Sequence, residues 1–91
     1  MDRVRLIVFG QVQGVFFRHH AREFAQSFGL TGWCRNAPDG TVEIMAEGSK
    51  ENLSRLIEWC REGSPGATVV NVEVSWEKAT GEFSGFEIER S

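Results

Sequence analysis

Apolar and polar positions alternate from Arg3 to Phe9, with Val4, Leu6 and Val8 on one face and Arg5, Ile7 and Phe9 on the other. A period of two predicts a strand buried on at least one side. Gly10 and Gly14 bracket a break in that pattern. Beyond it, Ala21, Phe24, Ala25 and Phe28 stand at the i, i+3, i+4, i+7 spacing of an amphipathic helix, and Gly29 occupies the place of a left-handed cap. Trp33 to Asn36 predicts a short strand. Ala37-Pro38-Asp39-Gly40 predicts a turn, in which Pro sets φ and Gly supplies a positive one. Val42, Ile44 and Ala46 then alternate with Glu43, Met45 and Glu47, the partner strand of a hairpin. Ser49 N-caps a second helix whose stripe is Leu53, Leu56, Ile57 and Cys60; Gly63 ends it and Pro65 prevents its resumption. Val70, Val72, Val74 and Trp76 predict a long alternating strand. The chain turns around Gly81, and Phe86 and Ile88 form a last short strand.

The order is β-α-β-β-α-β with one further strand. Two helices with one apolar stripe each cover only one face of a sheet. The expected fold class is therefore α+β: a ferredoxin-like split β-α-β two-layer sandwich, its sheet mostly antiparallel, with two helices on one face. At 91 residues the chain suits one core, a single domain over residues 1–91.

Composition removes several function classes. No apolar run approaches the roughly 20 residues of a membrane span. Met1-Asp2-Arg3-Val4-Arg5 leads straight into the first strand without the apolar core of a signal peptide, which points to the cytoplasm. The net charge is −3 and no basic stripe is present, so no nucleic-acid partner is expected. An anionic ligand must be captured by local donors against that mildly unfavourable field. Cys34 and Cys60 lie far apart without metal-ligand spacing, so no metal site is expected. Both read as reduced thiols in a reducing compartment. A bond between them stays open, because the fold can bring a strand and a helix together.

The segment Gly10-Gln11-Val12-Gln13-Gly14-Val15-Phe16-Phe17-Arg18 links the first strand to the first helix. Backbone N–H groups at a helix N-terminus lack partners, and the helix dipole adds partial positive charge there. A glycine-containing loop in front of such a terminus can curl its amides around an anion. Gly14 lacks a Cβ, so backbone can approach a phosphate closely. Arg18 supplies a planar fork that matches two phosphate oxygens. On these grounds alone the segment is equally a plain strand–helix connection with a solvated arginine. It is neither a Walker loop nor a dinucleotide fingerprint.

A second segment, Gly32-Trp33-Cys34-Arg35-Asn36-Ala37-Pro38-Asp39-Gly40-Thr41-Val42, runs on to Gly48. Together the two resemble the signature motifs of the acylphosphatase family. The first, apolar-x-Gly-x-Val-Gln-Gly-Val-x-Phe-Arg, is matched by Val8 through Arg18. The second, Gly-aromatic-small-basic-Asn-x3-Gly-x-Val-x5-Gly, is matched by Gly32 through Gly48, with no departure at a defining position. The resemblance implies a monomeric enzyme that splits small acyl phosphates into a carboxylate and inorganic phosphate. It implies a phosphate cradle formed by Gln13, Gly14, Val15, Phe16, Phe17 and Arg18. It also implies that Arg18 and Asn36 are catalytic, Arg18 on the phosphate and Asn36 on the attacking water.

The sparse inventory suits that chemistry. A carboxylate, with a conjugate-acid pKa of about 4, leaves without protonation. Phosphoryl transfer then asks mainly for positioning and charge stabilisation. Asn36 does not titrate near neutrality, so it orients water rather than acting as a base. Other residues have plainer readings. His19 and His20 begin the helix, neutral and facing solvent. Phe24 and Phe28 pack into the core, whereas Phe16 borders the site. Asp39 belongs to the turn, and Glu43 and Arg35 point away from Asn36 by strand alternation. Cys34 shares a face with Asn36 without doing chemistry. Two other classes remain as alternatives: a module that holds an acyl phosphate without turnover, and a ferredoxin-like interaction domain.

Overall fold

A computed structural model describes residues 1–90. The elements follow the expected order: β1 (Asp2–Gln11), α1 (Phe17–Ser27), β2 (Thr31–Asn36), β3 (Val42–Gly48), α2 (Lys50–Glu62), β4 (Thr68–Lys78) and β5 (Phe86–Ile88). One sheet of order β4-β1-β3-β2-β5 holds every strand. The β1–β3, β1–β4 and β2–β3 pairs are antiparallel, and only β5 runs parallel to its neighbour, β2.

Both helices lie on one face. Val4, Leu6 and Val8 of β1, Cys34 of β2 and Val42, Ile44 and Ala46 of β3 are buried there against Phe17, Ala21 and Ala25 of α1 and Leu53, Leu56, Ile57 and Cys60 of α2. The inner face of α1 thus descends through residues four apart. Phe24 and Phe28 are only partly buried, and they meet Trp59 in an aromatic cluster at the seam between the helices. Gly29 and Leu30 close α1 by donating to Gln26 O and Ala25 O at 3.1 and 2.9 Å, the paired bonds of a Schellman motif.

The face without helices is covered by ion pairs. Glu43 is 4% exposed, held between Arg35 (Nε–Oε1 2.9 Å) directly across on β2 and Arg5 (Nε–Oε2 2.6 Å) diagonally across on β1. Burial pushes its carboxyl up, but the two guanidinium groups outweigh burial and hold it below the usual carboxylate range. Glu47, 3% exposed, receives Arg3 Nε at 2.7 Å and the backbone N–H of Thr80 and Gly81 at 2.9 and 3.0 Å. It fastens the connection between β4 and β5 to the sheet.

One strand departs from its expected alternation. The β1–β4 register slips between Phe9 and Gly10, so Asn71 faces Phe9 but Val69 faces Gly10. The slip leaves Val70 76% exposed, while Val69 packs against the core with Val72 and Val74. Gly10 is required at this bulge: φ is +131°, and a Cβ would stand 2.0 Å from Thr68 O.

Candidate active site

Register brings the two informative segments together. Val42 faces Val8 of β1 on one side and Asn36 of β2 on the other. The loop leaving β1 and the end of β2 therefore emerge at the same edge of the sheet. Between them opens a cavity of about 510 Å³, within the span of small-molecule sites. Gly14, Phe16, Phe17, Arg18 and Asn36 all line it.

The loop between β1 and α1 is turned by two left-handed residues. Gly14 has φ +77°, and Phe16 is the only non-glycine residue among those described with a positive φ, at +58°. That left-handed turn costs about 1–2 kcal/mol in an L-residue. It sets the Phe16 side chain outward, 77% exposed, and aims the chain into α1 at Phe17. Phe17 divides its duties: its ring is fully buried against Trp59, while its backbone opens the helix at the cavity.

The two helix N-termini differ. At α2, the Ser49 side chain accepts from Asn52 N and Glu51 lies in the first turn. At α1 no side chain caps the amides and the first turn carries no acid. Those N–H groups and the dipole face the cavity. Arg18 sits half-buried there, without a carboxylate partner among the described residues. Asn36 lines the same cavity, and its Oδ1 is buried and accepts no hydrogen bond. A buried acceptor without a donor is rare enough to mark a site.

Gln13 holds this geometry with its side chain. Its Nε2 donates to Ala37 O and Thr41 O, both at 2.8 Å. This ties the loop to the β2–β3 turn, which Asp39 braces by accepting from Thr41 N and Oγ1. Cys34 supports the helix start from below, its Sγ 3.6 Å from Arg18 O. Burial pushes the Cys34 thiol up to about 12, although the charges of Arg18 and Arg22 pull the other way. Cys34 is thus a neutral strut rather than a nucleophile. Cys60 is also a free, buried thiol, raised first by burial and then by Cys34 nearby. Arg35 points to Glu43 on the opposite face. His19 reaches the cavity edge, and its ring contacts Glu23 at 3.4 Å. Arg90 and Ile88 also line the cavity, brought there by β5. Among the described residues, no three His, Cys, Asp or Glu side chains cluster as metal ligands, and no helix is long and apolar enough to cross a membrane.

The acylphosphatase family model matches residues 4–88, which includes both segments and every strand that frames the cavity. The chain belongs to the acylphosphatase family. It is 51% identical over 86 residues to an acylphosphatase of Pelotomaculum thermopropionicum, covering 94% of each chain. The crystal structure of acylphosphatase from Bacillus subtilis superposes with a TM-score of 0.94 at 37% identity, over 98% of this chain and 99% of that one. The same fold recurs as 12% of T. kodakarensis HypF, at a TM-score of 0.86 and 28% identity over 100% of this chain. The acylphosphatase enzyme that the motifs implied and the ferredoxin-like α+β fold expected from the element order are both met.

Proposed function

We propose that this chain hydrolyses small acyl phosphates by in-line attack of a water held by Asn36 on a phosphoryl group held by Arg18 and the amides of residues 13–18. The observation that carries this reading is one cavity lined both by an uncapped helix start with Arg18 and by Asn36, whose Oδ1 is unpartnered.

The water donates a hydrogen bond to Asn36 Oδ1, which turns an oxygen lone pair toward phosphorus. The new P–O bond forms as the bond to the acyl oxygen breaks, and the bonding pair leaves on the carboxylate. No group needs to protonate that leaving oxygen. The water's proton passes to a phosphate oxygen, giving inorganic phosphate. Charge on the equatorial oxygens is met by the Arg18 fork and the α1 amides. One such preorganised donor contributes about 3–4 kcal/mol, or 10²–10³-fold in rate. Positioning of the water supplies the rest. We further infer a cytoplasmic monomer with no added cofactor, a reading supported by the family resemblance of the two signature segments.

Hydrolysis in ¹⁸O-labelled water tests the step itself. All label is expected in inorganic phosphate. Label in the carboxylate would place the attack on the acyl carbon and overturn the mechanism.

A further inference from the structure

The cavity carries a second permanent cation that neither signature segment contains. Strand β5 runs parallel to β2 with Ile88 facing Cys34. Glu89 N donates to Cys34 O at 2.8 Å and closes that last pair, so the chain leaves β5 alongside β2. Two residues beyond Cys34 is Asn36, and two beyond Ile88 is Arg90. Parallel register thus sets Arg90 beside the residue that faces the reacting centre, on the same side of the sheet. Its side chain lines the same cavity as Arg18.

Charge sharpens the point. The whole chain is net negative, yet no carboxylate lines this cavity among the described residues. The imidazole of His19 is engaged by Glu23. Arg90 has no such partner among the described residues. An acid-free cavity with two guanidinium groups suits a ligand bearing more than one negative charge, as a phosphoryl group does.

We propose that Arg90 is a second cationic contact to the phosphoryl group, on the side of the attacking water, and that it shares the transition-state charge with Arg18. The inference rests on the hydrolase reading above. In-line geometry supports it: the acyl group departs opposite Asn36, so a cation next to Asn36 meets phosphoryl oxygens rather than the acyl chain.

The test compares wild type with Arg90→Gln, Arg90→Lys and Arg90→Glu in the full chain. It reads kcat and KM for acetyl phosphate and benzoyl phosphate, and the competitive inhibition constant of inorganic phosphate. Arg90→Gln is expected to lower kcat/KM about 10-fold for both substrates and to weaken phosphate inhibition similarly, the loss of about one charge-assisted hydrogen bond. Lys should recover most of the loss and Glu deepen it, with melting temperatures unchanged. Gln and Glu variants within twofold of wild type would overturn the proposal. So would a loss confined to one substrate, which would assign Arg90 to the acyl part. A wild type that binds phosphate without turnover would sink the hydrolase reading, while weaker phosphate binding in Arg90→Gln would still uphold the contact.

Discussion

At the scale of single residues, the site depends on side chains that touch no substrate. Gln13 spends both amide protons on carbonyls of the β2–β3 turn. Gln13→Ala removes two hydrogen bonds and frees the loop, while Ala37 O and Thr41 O keep their backbone donors, Gly40 N and Ala37 N. The expected cost is about 1–3 kcal/mol of stability, read as a lower midpoint in urea, with kcat falling more than KM rises. A displacement of about 1 Å can cost 100-fold in rate, so unchanged kcat would remove Gln13 from the positioning role. Nothing local reveals this function: the two acceptors lie 24 and 28 residues downstream. The motif fixes glutamine at that position but does not say what its side chain holds. Cys34 and Cys60 give a second expectation. Buried and held protonated, neither should react with a disulfide reagent at pH 8 until the chain unfolds. Two thiols titrating rapidly in native protein would contradict their placement.

At the scale of elements, periodicity within one segment was readable, while pairing between segments was not. Both helices, the hairpin and the final strand follow from spacing that involves neighbours only. The exposed Val70 does not, because the bulge that displaces it arises where Gly10 meets Thr68 across the sheet. The same contact makes Gly10 intolerant of a side chain. Gly10→Ala must relieve both the +131° φ and a 2.0 Å clash with Thr68 O, and is expected to destabilise by at least about 3 kcal/mol. Gly81→Ala is the control: φ is +75° in open space, so only about 1–2 kcal/mol is at stake. Equal melting temperatures for the two variants would contradict the bulge account. The start of α1 was readable as a possible anion site but equally as a plain connection. The second segment separated those readings by resemblance, whereas the uncapped start of α1 and the cavity it shares with Asn36 need the three-dimensional arrangement. Arg90 was illegible for the same reason as Val70, since only the pairing of β5 with β2 brings it to the cavity.

Across the whole molecule, the sheet holds its helix-free face together with buried carboxylates, and this sets the acid limb of stability. Glu43 and Glu47 both have folded pKa values below their ordinary 4.5, because arginines and backbone N–H groups outweigh the opposing effect of burial. Their contribution is complete above the unfolded value and is lost as pH falls through the lowered folded values. Melting temperature should be flat above about pH 5.5 and fall steadily below about pH 4.5. Glu43→Gln should cost about 1–2 kcal/mol at pH 7, less than for a fully buried pair because Arg5 and Arg35 are nearly half exposed. That variant should also show a shallower acid limb; an unchanged slope would separate Glu43 from acid unfolding.

The proposed active site works through Arg18 and Asn36, which line one cavity. Steady-state hydrolysis of benzoyl phosphate by wild type, Arg18→Ala and Asn36→Ala, with EDTA present, tests it most directly. The expected result is wild-type turnover indifferent to EDTA, with each variant folded by circular dichroism and slower by about 10²–10³-fold. A folded variant of either kind that keeps wild-type kcat would contradict the account.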